Sequence, residues 1–234
     1  MNLSPIMNFK IELIKGKKSI KKLKNVVAIG GFPGVGKSTL VNFLKKDGYI
    51  VSLEFDGSNL SNILLELLQH YFNNRYDGYV MQIGFINNSL SRYVNAVNKA
   101  KNNELVFIDR TIIENRFFAE SQIVNDFLKQ LYNFEHAKKH DILTKQIGIP
   151  SLYFHLTSSF EMAMKRLRVR DKKEYDEKIK NKENFKKIYY FYCNVLEKEL
   201  KELGIECITV DTMTMNAIEV YQFCKDKLKA KKLI

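Results

Sequence analysis

No stretch of this 234-residue sequence approaches the roughly 18 consecutive apolar residues of a membrane-spanning helix, which excludes a span. Cysteine is scarce: Cys193, Cys207 and Cys224 are odd in number, widely spaced and form no CxxC pair. That excludes a disulfide framework and fits free thiols in a reducing cytoplasm. Proline occurs three times, and there is no Pro/Gly-rich linker, low-complexity segment or fixed-period repeat, so a single domain is the simplest organisation. The first 24 residues lack a long apolar core, so no secretory signal is expected. A hydrophobic fraction of 45% excludes wholesale disorder, and a chain of this length can bury a sizeable core.

What is present is charge. The net +12 is uneven: residues 1–24 carry +6, residues 219–234 carry +3, and everything between carries +3. A lysine-rich end can bind nucleic acid or an anionic membrane surface. Solvated lysine at two termini is the simpler reading, because the body of the chain is nearly balanced. We therefore expect a basic extension over 1–24, a single domain over 25–234, no membrane partner and no nucleic-acid partner.

Short apolar runs predict five strands: Val26–Ile29, Tyr49–Leu53, Leu105–Ile108, Leu152–Leu156 and Cys207–Val210. Helical patterns lie between them: 37–46, closed by Asp47-Gly48; around Ile63–Tyr71; 79–101; most of 111–139; a helix opened by a Ser158/Glu161 capping box; 176–203, closed by Gly204; and one from about Asn216. The charge-dense Arg166–Asp176 reads as a mobile segment. Alternating strands and helices imply an α/β fold with a parallel sheet.

The strongest motif is Gly31-Phe32-Pro33-Gly34-Val35-Gly36-Lys37-Ser38, a complete G-x-x-x-x-G-K-[ST] between a strand and a helix. Glycines let the backbone curl so that N–H groups point at phosphate oxygens, and the helix N-terminus adds positive potential. Gly31, Gly34, Val35, Gly36, Lys37, Ser38 and Thr39 are thus expected to hold ATP. Lys37 reaches the β and γ phosphates, and Ser38 ligates Mg²⁺.

Three further features bear on the phosphate acceptor. Asp109-Arg110 closes the third strand, where strand ends face the ligand crevice. Asp109 can hold the metal's water shell, and Arg110 can clamp the acceptor or a phosphate. Arg166 and Arg170 are i,i+4 and share a helix face, an arrangement suited to a lid closing over the transferring phosphoryl group. Glu54 ends the second strand, and no lysine or arginine occurs between Lys46 and Arg75. A carboxylate there suits a hydroxyl acceptor, which must lose a proton, better than an anionic phosphate acceptor.

In the order of these motifs, residues 25–215 resemble the deoxynucleoside kinase family, whose relatives include thymidylate kinases. Glu54 stands where the family has its base, although Phe55 replaces the usual proline. Tyr71 and Gln82 show the family's spacing between the tyrosine that contacts the sugar 3′-hydroxyl and the glutamine that pairs with the base. Asp109-Arg110-Thr111, then Asn115-Arg116 and Phe117-Phe118, are similar to the family's run after the third strand, with Asn115 where many relatives have Asp. The run Arg166-Leu167-Arg168-Val169-Arg170-Asp171-Lys172, then Glu174, is similar to the family's lid, with Asp171 in place of its glycine. The family's tryptophan near the acceptor pocket has no counterpart. The resemblance implies a five-stranded parallel sheet flanked by helices with a helical lid, and often a homodimer. It implies transfer of the γ-phosphate of ATP, with Mg²⁺, to the 5′-hydroxyl of a nucleoside. Tyr71, Gln82, Asp109, Arg110, Asn115 and Glu174 would contact that substrate.

Two alternatives stand beside it: a thymidylate-type nucleotide kinase using Arg110 and Arg75 on an acceptor phosphate, and a nucleotide-dependent nucleic-acid-binding protein using the lysine-rich ends. His136 and His140 are i,i+4 but separated by lysines, so they read as solvated. The aromatic run Tyr189–Tyr192 and Cys193 are expected in the core, with one tyrosine near the lid.

Overall fold

The computed structural model describes residues 20–73, 78–100, 104–170, 176 and 182–234. Its elements in chain order are β1 (Lys22–Gly30), α1 (Lys37–Lys46), β2 (Ile50–Ser52), α2 (Asn59–Phe72), α3 (Gly78–Lys99), β3 (Val106–Asp109), α4 (Ile112–Gln122), α5 (Asp126–Ile142), β4 (Ile149–Thr157), α6 (Phe160–Arg170), α7 (Lys182–Asn194), α8 (Leu196–Glu202), β5 (Glu206–Asp211) and α9 (Ala217–Ala230). A π-helical turn, Leu143–Ile147, joins α5 to β4.

The five strands form one parallel sheet in the order β2-β3-β1-β4-β5. Val26, Val27, Ala28 and Ile29 are all fully buried, although neighbouring residues point to opposite faces. Both faces of the sheet are therefore covered, as a parallel sheet requires. Helices α1 and α9 pack together, with Phe43 stacked on Tyr221 and Asp47 receiving Lys225. Helices α3, α4, α5 and α7 pack as a second group. A small satellite core of Leu64, Met81 and Phe85 joins α2 to α3.

The five expected strands are all present. Strand β1 begins earlier than the apolar run, at Lys22, so Lys22–Lys24 belong to the sheet although they fall in the segment read as an extension. The rest of that extension, residues 1–19, lies outside the described residues. Four local expectations need correction. Residues 166–170, expected to be mobile, are the last turn of α6. The cap of α6 is Ser159, not Ser158: the Ser159 hydroxyl accepts from Met162 N–H at 3.2 Å. The long helix expected to reach 203 is divided at Val195 into α7 and α8, where the Asn194 amide bonds back to Tyr190 O and competes with the backbone ladder. Cys193 and Tyr190, both expected in the core, are exposed. The breaks after Lys46 and Glu202 are as expected, with Gly48 and Gly204 both at positive φ.

Because β1 is central, its carboxyl end delivers the chain to the middle of the sheet, between β3 and β4, at the crevice where parallel sheets bind ligands. That end admits no side chain. A Cβ on Gly30 would lie 1.5 Å from the Tyr153 hydroxyl and 2.7 Å from Glu114 Oε1. Gly30→Ala is expected to cost about 1–3 kcal/mol by overpacking. Tyr153→Phe, which removes the nearest clashing atom, should recover part of it. Urea denaturation of the three proteins checks both statements; an unchanged Gly30→Ala midpoint would contradict them.

Candidate active site

The loop from Gly31 to Lys37 curls because Gly31, Gly34 and Gly36 take φ of 142°, 88° and 102°, a region costly for other residues. It is also wedged: a Cβ on Gly34 would meet Ala163 O of α6 at 2.2 Å. Phe32 packs among Phe160, Phe185, Tyr189 and Tyr192, so α6 and α7 fix the loop from outside. Val35 is buried, whereas Ser38 and Thr39 are exposed in the first turn of α1. Lys37 folds back over the loop, donating to Gly31 O at 2.8 Å and Phe32 O at 3.2 Å. Burial first, and Arg110 second, lower its pKa to about 7, against the opposing pull of Asp109 and Glu114.

The end of β3 supplies the second half of the site. Arg110 sits at φ 62°, unusual for a residue with a side chain, with its N–H bonded to Ile29 O at 2.9 Å. Its guanidinium is held on three sides. Nε lies 3.0 Å from Glu54 Oε2, an ionic contact without an aligned hydrogen bond. Nη1 donates to the Tyr192 hydroxyl at 2.7 Å, and the group lies 4.9 Å from the Phe118 ring centroid. Burial opposes this charge, but Glu54, then Tyr192 and Glu114, outweigh it and hold the Arg110 pKa above its ordinary value. Asp109 is buried, and its Oδ1 has no hydrogen-bond partner among the described residues. Burial, then Glu54, push its pKa up.

The structure thus brings Lys37, Glu54, Asp109 and Arg110 into one cluster at the carboxyl end of the sheet. Glu54 is half-buried, whereas nearby Asp56 is spent on local structure, accepting from Ser58 N–H at 3.0 Å and the Ser61 hydroxyl at 2.7 Å. Gln82 and Asn115 are buried on the facing helices α3 and α4. Gln82 Nε2 donates to Gln122 Oε1 at 2.6 Å; Gln82 Oε1 and Asn115 Oδ1 have no partner among the described residues. Tyr71 packs against the satellite core beside Met81. Arg166 is not turned toward the loop: it donates to Thr212 Oγ1 at 2.8 Å and Thr212 O at 2.6 Å, on the turn after β5. Arg170 is exposed at the end of α6. Glu174, Arg75, Asp171 and Lys172 lie outside the described residues.

Sequence reasoning missed three residues of the cluster. Buried Arg92 of α3 donates to Asp109 O at 3.1 Å and Ser52 O at 3.4 Å, tying together the ends of β3 and β2. Its signal was a cation at helical spacing from Phe85, Ser89 and Ala96. Glu114 accepts from Thr111 N–H at 2.8 Å in a capping box, a pattern visible in the sequence as Thr-x-x-Glu. Tyr192 donates to Glu114 Oε1 at 2.9 Å, and nothing in its run of aromatics singled it out. His136, read as solvated, instead has Nε2 3.0 Å from Ile112 O. Among the described residues no cluster of three or more metal-ligating side chains occurs.

A family model described as deoxynucleoside kinase matches residues 27–234. An uncharacterized protein of Mycoplasma genitalium is 26% identical over 217 residues, covering 91% of this chain and 93% of its own length. Its homologue in Mycoplasma pneumoniae is 29% identical, covering 88% and 93%. Among solved structures, deoxyadenosine kinase from M. mycoides with bound dATP is similar with TM-score 0.63 and 20% identity, over 87% of this chain and 99% of that one. The same enzyme with dCMP and dCDP gives TM-score 0.60 and 21% identity, over 88% and 99%.

The lowered pKa of Lys37 has a measurable consequence. An anionic triphosphate held against Lys37 would favour the charged amine and raise the lysine's pKa from about 7. At pH 8 the free amine is largely neutral and takes up a proton on binding; at pH 6 it is already charged and takes up none. Calorimetry of ATP binding in buffers of different ionisation enthalpy should show proton uptake at pH 8 that disappears in Lys37→Met. Equal uptake in both proteins would contradict the assignment.

Proposed function

The chain belongs to the deoxynucleoside kinase family, and on that premise we propose that its cluster transfers the γ-phosphoryl group of ATP to the 5′-hydroxyl of a deoxynucleoside. The observation that carries the residue roles is the Glu54–Arg110 pair, 3.0 Å apart beside the phosphate loop. A carboxylate with one edge on an arginine and 23% of its side chain exposed can accept the proton of a hydroxyl. An acceptor phosphate would instead call for an arginine whose charge is unspent. Arg110, already neutralised by Glu54, favours the hydroxyl over the thymidylate-type alternative.

In this reading the loop N–H groups from Gly31 to Thr39 and the Lys37 amine hold the triphosphate. Lys37 must leave the Gly31 and Phe32 carbonyls to do so, exchanging two neutral acceptors for phosphate oxygens. Asp109, a buried carboxylate with an orphaned oxygen, and the exposed Ser38 hydroxyl fit Mg²⁺, which when bound would neutralise the β and γ oxygens. Glu54 takes the 5′-hydroxyl proton as the oxygen attacks phosphorus. Arg110 keeps the acceptor side electrically balanced. Arg166 and Arg170 supply charge from α6 once Arg166 leaves Thr212. Tyr71 meets the sugar. Gln82 and Asn115 read the base: two buried carbonyl oxygens complement an exocyclic amino group, which favours adenine or cytosine. The M. mycoides enzyme, with dATP or with dCMP bound, supports that choice. A cytoplasmic salvage enzyme, acting as a homodimer, completes the proposal.

A panel of deoxynucleosides and deoxynucleoside monophosphates, each with ATP and Mg²⁺, tests it. Deoxyadenosine and deoxycytidine should be consumed fastest and the monophosphates left intact. Glu54→Gln should lower kcat by about 10²–10⁴-fold, with ATP affinity nearly unchanged. Turnover of monophosphates alone, or wild-type turnover in Glu54→Gln, would reject the mechanism.

A further inference from the structure

Tyr192 is 1% exposed, lies on α7, and is far in sequence from every other residue of the cluster. Its hydroxyl nevertheless occupies the centre of the buried charges. It accepts from Arg110 Nη1 at 2.7 Å and donates to Glu114 Oε1 at 2.9 Å. The same Glu114 oxygen lies 3.5 Å from Gly31 N–H, at the start of the phosphate loop, while Oε2 caps Thr111. One phenol thus stands between the arginine that faces Glu54 and a second carboxylate that competes for that arginine.

We infer that Tyr192 is a positioning residue for the transfer: its hydroxyl holds Arg110 on Glu54, and Glu114 orients that hydroxyl by taking its proton. This rests on the reading of Glu54 as the base. With Glu114 ionised, the contacts allow one direction only. Arg110 carries no acceptor, so the phenol must accept from it; the phenol's proton then goes to Glu114, which is an acceptor when ionised. A neutral phenol is what the site imposes, because burial, against Arg110's opposing charge, holds the Tyr192 pKa well above 10. Without the oxygen, Arg110 Nη1 is left buried and unpaired and Glu114 Oε1 keeps only the long Gly31 N–H contact, and the nearest remedy is for the two to pair directly. Arg110 would then be drawn off Glu54, and the base would lose the cation that sets its orientation. The ring itself has a separate job, packing against Phe32, Phe117 and Phe118, which phenylalanine would keep.

Tyr192→Phe is therefore expected to fold, to bind ATP with KM within about 3-fold of wild type, and to lose kcat by about 10- to 100-fold, as misplacement of a reacting group does. Glu114→Gln keeps one acceptor oxygen where the Thr111 N–H and the Tyr192 hydroxyl use two, and is expected to lower kcat by about 3- to 10-fold. The double variant should recover at least half of the logarithmic loss, because a neutral residue 114 no longer draws Arg110 away. A merely structural tyrosine gives additive losses. Glu114→Leu, which leaves Tyr192 in place but removes its acceptor, should lower kcat at least about 10-fold, and it tests the same link if Tyr192→Phe is not recovered folded. A Tyr192→Phe kcat within 3-fold of wild type, a loss seen only in KM for ATP, additivity in the double variant, or an unaffected Glu114→Leu overturns the inference. Wild-type protein inactive on every nucleoside would refute the underlying reading instead; active wild type, inactive Glu54→Gln and active Tyr192→Phe would refute this inference alone.

Discussion

The Arg110 guanidinium, buried between Glu54, Tyr192 and the Phe118 ring, is the constraint on which the rest of the site depends. A buried charge is tolerated only when paired and hydrogen-bonded. Here one cation is shared by two carboxylates, one contacted directly and the other through a phenol. Its backbone is no more relaxed than its side chain, since φ is positive and the N–H is fixed to β1. Such a conformation persists because its surroundings over-determine it, and active sites are where it collects.

The same cluster explains the state of the phosphate loop. Lys37 sits in a buried place beside another cation, which makes its charge costly, and it compensates by bonding to the loop's own carbonyls. Three acidic side chains (Glu54, Asp109 and Glu114) face three basic ones (Lys37, Arg92 and Arg110). Their formal charges cancel, so on the proposed mechanism an incoming triphosphate is met by recruited charge. Arg166 and Arg170 on α6 are the residues we propose for that, and α6 is in van der Waals contact with the loop through Gly34 and Ala163.

Much of this was legible because it is local. The phosphate loop and its flanking strand and helix are contiguous in sequence, and glycine spacing is itself the signature of the backbone path. Glu54 and Asp109-Arg110 could be found because strand ends in a parallel sheet share one edge. Most of the net +12 lies at the two ends of the sequence, outside the motifs that build the cluster. Local rules failed where two residues offered the same chemistry: Ser159 took the cap that Ser158 also matched. They failed again where a side chain competed with the helix ladder, at Asn194. Tyr192 and Cys193 are adjacent in one amphipathic run and both read as core; helical phase buries the first and leaves the second exposed.

By itself, the sequence determined the sheet, the order of its helices, the phosphate loop and the carboxylate–arginine chemistry beside it. Each depends on periodicity, or on residues close together in the chain. Tertiary structure alone decided that Arg92 ties two strand ends together, that Arg166 rests on Thr212, that Gln122 holds the Gln82 amide, and that Tyr192 stands between Arg110 and Glu114. These contacts join residues 17 to 82 positions apart. Their partners are chosen by the need to satisfy buried polar groups, a condition that exists only once the chain has folded.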